Sequence, residues 1–459
     1  MKALATLLLF LTLALGLNAQ NEFANHWHFG EGAYLDFSSG VPVSGNSPIL
    51  APEGSVSLSN NNGELLFFTN GGDIHQQSDG FVWDQNGNVM QNGELFDTAG
   101  CYSTIQPAFA VPFPESASEY YLFTLDCDEH SPTGIADYKG FRYSIIDMAQ
   151  NGGLGAVTQK GVPVFGDTIT RLSEGMTGTR HANGSDFWIV LHSFDQNTFY
   201  TFLISDTGIT GPNIQTIGAT ESGQMKISHQ GDKLVYGLGV YDFDNATGVI
   251  SNYQSIPNGG TGAAFSMDGR YLYVTYDFNL SQYDLNATNI GASQQILFAG
   301  NPLSFEFPFG LQMGPDCKIY VQIFDKPYLG VINNPNVGGM GASFVKDQVS
   351  LQSGAAIQTG FPAFLDCDFN PCDGSGLEET AALDVHVSPN PGNGIFNVER
   401  SFEGPLQFEL VNMLGEMSAS GIVPENGTLQ LDKQPSGIYL LKLFNEQGAA
   451  LERVSIQSE

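Results

Sequence analysis

At 459 residues the chain is too long for one ordinary core and suits either a large repeat fold with a small extra domain or three conventional domains. Asp and Glu outnumber Lys and Arg 48 to 16, for a formal charge of -32. A surface that negative repels phosphate backbones and anionic membrane faces, which excludes nucleic acid binding by counterion release and leaves solubility or cation contact as its use.

The first twenty residues, MKALATLLLFLTLALGLNAQ, carry one lysine, an apolar run from Ala3 to Leu17 and a small residue at Ala19. That run is shorter than the ~20 residues of a membrane span, so residues 1–20 read as a secretory signal peptide cut near Ala19 or Gln20. No transmembrane span is expected once it is removed. Five cysteines follow, and outside the cytoplasm they can pair. Cys101 with Cys127, and Cys367 with Cys372, are the expected bridges, and the odd count leaves at least one thiol free.

Residues 21–372 repeat one phrase: a short apolar strand, a polar turn with Gly, Asn or Asp, then a second strand rich in Tyr, Phe, Leu and Val. The copies are SVSLSNNNGELLFFTN at 55–70, PAFAVPFPESASEYYLFTLD at 107–126 and TRHANGSDFWIVLHS at 179–193. QMKISHQGDKLVYGL at 224–238, AAFSMDGRYLYVTYD at 263–277 and LQMGPDCKIYVQIF at 311–324 continue the series. Asp-Gly and Asn-Gly supply the positive backbone angles that tight hairpins need. In FWIVLHS, Phe187, Ile189 and Leu191 point to one side and Trp188 and Val190 to the other, so both faces are apolar and the strand must lie between two packed sheets. Hairpins of this kind at this spacing predict an all-β fold, a β-propeller, and at roughly 50 residues per blade the region holds about seven blades. WHFGEGAYLDF at 27–37 and GFPAFLDCDF at 360–369 lack the full phrase and are the expected closing blade, built from both ends of the domain. A pair of β-sandwiches is the alternative arrangement.

The run RHANGSDFWIVLHS, with NGELLFFTNG before it and YLGVINNPN after it, resembles a family of exported propeller-like proteins of Bacteroidetes that precede a type IX sorting domain. The likeness covers most of residues 26–365 and brings no settled activity with it. One departure stands out: the family usually has Asp-Gly where this chain has Asp316-Cys317.

After a polar linker at 373–382 the alternation restarts as LDVHVSPNPGNGIFNVE, followed by FELVNMLGE, TLQLDKQPSGIYLLKLF and ERVSIQ. Fewer than eighty residues of alternating strands predict a small β-sandwich at 383–459. Pro389 and Pro391 donate no ladder hydrogen bond, so they stop the first strand at a sheet edge, and Gly392 and Gly394 permit the turn beyond. The order PNPGNGIF, LVNMLGE, PSGIYLLKL and a last short strand closely resembles the type A C-terminal sorting domain of the type IX secretion system. The resemblance rests on Pro389, Asn390, Pro391, Gly394, Phe396, Gly415, Gly437 and Tyr439. It implies the type IX machinery as a partner, and a final location that is secreted or on the outer cell surface.

Propellers generally hold ligands where loops surround the axis. In that frame Glu53, Gln106 and Arg180 fall near inner-strand starts, and Asn70, Asp126 and His192 near second-strand ends. Such a ring would bind a sugar through paired hydrogen bonds, or a cation through Asp126 and Glu53. His181 and His192 flank an apolar strand and read first as hydrogen-bonded structural histidines, and Arg180 as paired with a blade carboxylate such as Glu174. No G-x-S-x-G elbow, H-E-x-x-H or phosphate-binding glycine loop occurs, so no catalytic residue is assigned. No cofactor or metal is expected either. Of the two strings that approach a calcium loop, YDFDNATG at 241–248 reads as an outer hairpin turn and DFNPCDG at 368–374 is out of register. The expectation is a non-catalytic binding module for a glycan or a surface protein. The alternative is a hydrolase or lyase acting on extracellular polysaccharide, with Glu53, Asp126 and His192 as acid and base. An assembly component is a third reading.

Overall fold

Short apolar runs separated by Gly, Asn and Asp turns have no length in which to form helices, and the computed structural model resolves them into strand after strand. It describes residues 22–457 except 73–79, 96–99, 102–103, 128–137, 167–169, 221, 358, 370–384, 403, 413–416, 425, 432 and 446–447. The expected signal peptide, 1–20, and the expected linker, 373–382, therefore lie outside the described residues. By its internal contacts the chain divides into two units, Met1–Cys372 and Asp373–Glu459.

The first unit is a β-propeller. Blade one is β3 (Ser55–Ser59), β4 (Leu65–Thr69), β5 (Phe81–Asp84) and β6 (Val89–Glu94), after the hairpin β1 (His26–Asp36) and β2 (Val43–Ala51). Blade two is β7 (Ala108–Pro112), β8 (Glu119–Leu125), β9 (Phe141–Asp147) and β10 (Ala156–Phe165). Blade three is β11 (Leu172–Arg180), β12 (Phe187–Ser193), β13 (Thr198–Ser205) and β14 (Gly208–Thr216). Blade four is β15 (Met225–Ile227), β16 (Lys233–Tyr236), β17 (Gly239–Asp244) and β18 (Val249–Ser255). Blade five is β19 (Gly262–Phe265), β20 (Tyr271–Tyr276), β21 (Asn279–Asp284) and β22 (Gln295–Ala299). Blade six is β23 (Pro308–Met313), β24 (Ile319–Ile323), β25 (Tyr328–Ile332) and β26 (Phe344–Ser350). Within each blade consecutive strands pair antiparallel, and blades one and two join at their outer strands through Gln91 and Ala156.

Every residue of β12, FWIVLHS, is buried. Phe187, Ile189 and Leu191 pack with Phe109, Phe123 and Phe141 of blade two. Trp188 and Val190 pack with Met225, Leu234 and Tyr236 of blade four. Each such side chain contributes roughly 1.5–3 kcal/mol of burial, so the stacking of blade faces supplies the core. At the β23–β24 turn Cys317 takes φ 64, the left-handed geometry that Gly269 supplies at φ 72 in the Asp-Gly turn of blade five.

The seventh sector is the hairpin β1–β2, wedged between blades six and one. Trp27 packs edge to face on Tyr320 of blade six with centroids 5.3 Å apart, while the His28 ring stacks on Phe68 of blade one at 3.8 Å. Among the described residues the far end of the domain reaches this hairpin by one β-bridge, in which the Glu31 and Ala356 backbones exchange hydrogen bonds of 2.8 and 3.1 Å, and by the Gln352 amide, which donates to Ser44 Oγ at 2.8 Å. Gly30, at φ 60, permits that approach, because a Cβ there would overlap the Ala356 carbonyl. The 360–369 stretch packs on β1 through Phe361 and Phe364, but adds no strand to that hairpin. Its short strand β27 (Pro362–Ala363) pairs parallel with β3 of blade one, and the chain then turns across the inner strands.

The second unit is a small sandwich. One sheet is β28 (Val385–Ser388), β29 (Ile395–Arg400) and β32 (Thr428–Gln430). The other runs β31 (Met417–Ile422), β30 (Gln407–Asn412), β33 (Gly437–Asn445) and β34 (Gly448–Ile456). Phe396, Val398 and Leu429 of the first meet Leu410, Leu441, Leu443 and Val454 of the second in one core.

Candidate functional site

The six site residues named from the sequence separate onto opposite ends of the ring. Glu53 and Gln106 precede β3 and β7, and Asn70, Asp126 and His192 lie at the return ends of β4, β8 and β12. Arg180 is at the other end. Its strand β11 starts at Leu172, so Arg180 closes an inner strand where the sequence reading had it open one.

At the first end the polar groups tie blades together. The Gln106 side chain, buried, accepts from the backbone amides of Met176 at 3.2 Å and Met225 at 2.7 Å, and donates to the Met225 carbonyl at 2.9 Å. One glutamine thus joins blades two, three and four. Gln224 repeats the device on the far side, accepting from Ala263 at 3.0 Å and Leu311 at 3.4 Å, a role the sequence did not flag. Asn70 donates to the Leu50 carbonyl and accepts from the Phe81 amide, fastening the closing hairpin to blade one. Asp126, fully buried, accepts from the amides of Cys127 and Lys139. Glu174 accepts from the Ile105 amide at 3.4 Å. Between Asp126 and Glu174, burial first and then the two carboxylates raise the Tyr138 phenol, whose oxygen accepts from the Leu172 amide at 3.0 Å. Cys101 and Cys127 form a disulfide beside this group.

His192 is fully buried between Phe199 and Tyr236, with Nδ1 2.7 Å from the Ser193 carbonyl and no hydrogen-bond partner at Nε2 among the described residues. Burial draws its imidazole down to about 4, so the ring is neutral at ordinary pH.

At the second end the segment after β27 crosses the inner strands as a clasp. Lys226 of β15, nearly fully buried, donates to Gln312 of β23 at 2.6 Å and pairs with Asp366 at 3.2 Å. Asp366 also accepts from the Gln312 amide group at 3.2 Å, and its carbonyl meets His229 Nδ1 at 2.9 Å. Arg180 forms a two-pronged pair with Asp368, its Nη2 2.8 Å from Oδ2, and stacks over Phe187. The expected Glu174 partner is thereby replaced, because Arg180 and Glu174 stand at different ends of β11. Cys367, between the two carboxylates, is a free thiol and not half of a bridge to Cys372, which lies outside the described residues. Burial and the Asp368 carboxylate push that thiol up to about 12. Cys317 is disulfide-bonded. A small pocket beside the clasp is lined by Ile227, His229, Phe265, Ser266, Met313 and Asp366. Among the described residues no group of three or more His, Cys, Asp or Glu side chains could hold a metal ion. The YDFDNATG string is the β17–β18 turn, where Asp244 accepts from the Ala246 amide and the Thr247 hydroxyl.

In the second unit the PNPG motif grips the last strand. Asn390 Oδ1 accepts from the Ser455 amide at 3.0 Å, Gly392 donates to the Ser455 carbonyl at 2.9 Å, and the Gln457 amide returns to Gly392. Pro389 and Pro391 end β28 at the edge of its sheet, and Gly394 turns at φ 89. Phe396 is fully buried in the sandwich core, Gly437 begins β33, and Tyr439 donates to the Pro435 carbonyl at 2.8 Å. Gly415 lies outside the described residues.

Residues 386–457 match the family described as the secretion system C-terminal sorting domain. This unit directs export by type IX secretion to the cell surface or the extracellular space, and no helix among the described residues is long and apolar enough to cross a membrane. Comparison with curated proteins finds no match. Among solved structures, Kluyveromyces lactis Hsv2 is 10% identical with a TM-score of 0.37, over 68% of this chain and 90% of its own. Kuenenia stuttgartiensis hydrazine synthase is 13% identical with a TM-score of 0.39, over 70% and 90%. A streptogramin B lyase is 10% identical with a TM-score of 0.36, over 73% and 86%. Likenesses this distant say nothing of activity.

Proposed function

We propose that the chain is an extracellular binding protein: the sorting unit takes it out of the cell, and the propeller holds a glycan or a protein without turning it over. The observation that supports this reading is where the polar groups of the ring are spent. Gln106, Gln224, Asn70 and Asp126 have their hydrogen bonds committed to backbone, Arg180 to Asp368, and the His192 ring is shut inside the blade stack. A general acid or base must reach the proton it moves, and His192 and Asp126 are both sealed from solvent.

The test is incubation of the full-length secreted protein with a panel of polysaccharides and surface proteins, reading both saturable binding and released sugar ends. Binding without release is the expected result. Steady release of sugar ends by the purified protein would contradict it and favour the hydrolase or lyase.

A further inference from the structure

Five phenylalanine rings run in a continuous row across blades five and six, at the end where the inner strands begin. Phe278 sits in the β20–β21 turn, Phe305 and Phe307 in the loop before β23, Phe309 within β23 and Phe324 just after β24. Ring centroids are 5.9 Å from Phe305 to Phe307, 4.8 Å from Phe307 to Phe278, 6.0 Å from Phe307 to Phe324 and 5.6 Å from Phe324 to Phe309. None of the five is fully buried, Phe305 is 64% exposed, and Leu303 beside it is 93% exposed. Single exposed apolar side chains need no explanation, whereas a contiguous aromatic row does.

The loop is built to present these rings. Asn301 caps a short turn by accepting from the Leu303 amide at 2.9 Å, and Lys326 holds the Ser304 carbonyl at 3.0 Å. Phe305 itself takes φ 51, a left-handed conformation that a bulky side chain adopts at a cost and keeps only where its surroundings enforce it. The two turns flanking the row do the same with acids: Asp277, at φ 52, precedes Phe278, and Asp325, at φ 54, follows Phe324. Both carboxylates are exposed and form no ion pair among the described residues, while Glu306 between the rings is neutralised by Lys346 at 2.7 Å.

We infer that this row is the ligand surface of the propeller and that it takes a cationic polypeptide segment, with Arg or Lys side chains laid over the phenylalanine faces and apolar side chains against Leu303 and Phe305. Ring faces attract cations, the rim carboxylates pair with them, and a formal charge of -32 steers such a partner in from a distance. A sugar would also stack on the rings, but phenylalanine has no polar handle with which to hold its hydroxyls. The inference rests on the binding reading above and names its surface and its ligand chemistry.

The test is fluorescence anisotropy on the full-length protein with a labelled dodecapeptide alternating arginine and leucine, beside a glutamate and leucine counterpart and cellohexaose. Phe305→Ala, Leu303→Ala and Asp325→Asn change exposed side chains, and Met340→Ala, exposed on another loop, is the control. The basic peptide alone should bind, weaken about tenfold in Phe305→Ala as loss of a strong aromatic contact does, weaken less in Asp325→Asn, and be unchanged in Met340→Ala. No binding of the basic peptide, or equal affinity in every variant, overturns the inference. Cellohexaose binding that is lost in Phe305→Ala keeps the surface but overturns the ligand class. A ligand found in the broader panel that binds Phe305→Ala at full strength overturns the surface and leaves the binding reading standing.

Discussion

Blades three to six are each folded from one continuous stretch of chain, whereas the seventh sector is assembled from residues at both ends of the domain. A consecutive blade needs only its own hairpins and the apolar faces of its neighbours, as β12 shows between blades two and four. Among the described residues the seventh sector has two strands of its own, one β-bridge to Ala356, and a clasp that reaches over the inner strands. Aromatic packing and buried charge replace the missing ladders there. Ring closure therefore depends on a few residues, and local blade folding on none in particular.

The comparison breaks most sharply at Trp27, fully buried against Tyr320, Phe361 and Phe364. Trp27→Ala should cost about 5 kcal/mol in urea unfolding followed by circular dichroism. Asp366→Ala comes next, since it strands the buried Lys226 ammonium, and should cost about 4 kcal/mol. Adding Lys226→Met to that variant should recover most of the loss, because the unpaired charge and not the missing contact is the expense.

Acid distinguishes the regions more gently. Burial holds His28 of the closing hairpin down to about 3, with His26 adding to the effect, and His192 of blade three down to about 4. Both rings stay neutral in the folded chain while their unfolded counterparts take up a proton below about 6.5. Their contribution is thus complete above pH 6.5 and lost as pH falls, up to about 3 kcal/mol for His192 by pH 4. Melting temperature measured from pH 7 to 3 should fall less steeply in His192→Phe between 6.5 and 4, and in His28→Phe over a range extending nearer to 3. The smallest effect is expected at the clasp's outer pair, where Arg180 is partly exposed: Asp368→Asn should cost about 1 kcal/mol.

The same contrast governs what could be read from the sequence. FWIVLHS announces a strand buried on both faces because its apolar residues are contiguous. The inner strand paired with it, LSEGMTGTR, has no such apolar run, and its glycines are there for crowding: a Cβ at Gly175 would strike Tyr236, and one at Gly178 the Trp188 carbonyl. With nothing in the sequence to mark a strand before it, Arg180 reads as the start of an inner strand that in fact it ends. Outer strands such as GITGPNIQT are largely exposed and lack alternation. The clasp left no trace, since Lys226 meets partners 86 and 140 residues away and no spacing rule connects them. The phenylalanine row was legible only in part: Phe305, Phe307 and Phe309 alternate within FEFPF, whereas Phe278 and Phe324 join them only in the fold. In the sorting unit the reverse holds, because Asn390 and Gly392 belong to a short local motif and both meet the chain at the terminal strand, while Gly394 accepts from the Leu431 amide.

The central claim of the account is a division of labour, with export residing in the sorting unit and binding in the propeller. Fractionation of cells producing residues 1–382 in place of the whole chain tests it most directly. The truncated protein should accumulate in the periplasm and be missing from the medium and cell surface. Its efficient appearance in the medium would contradict the assignment of export to residues 383–459.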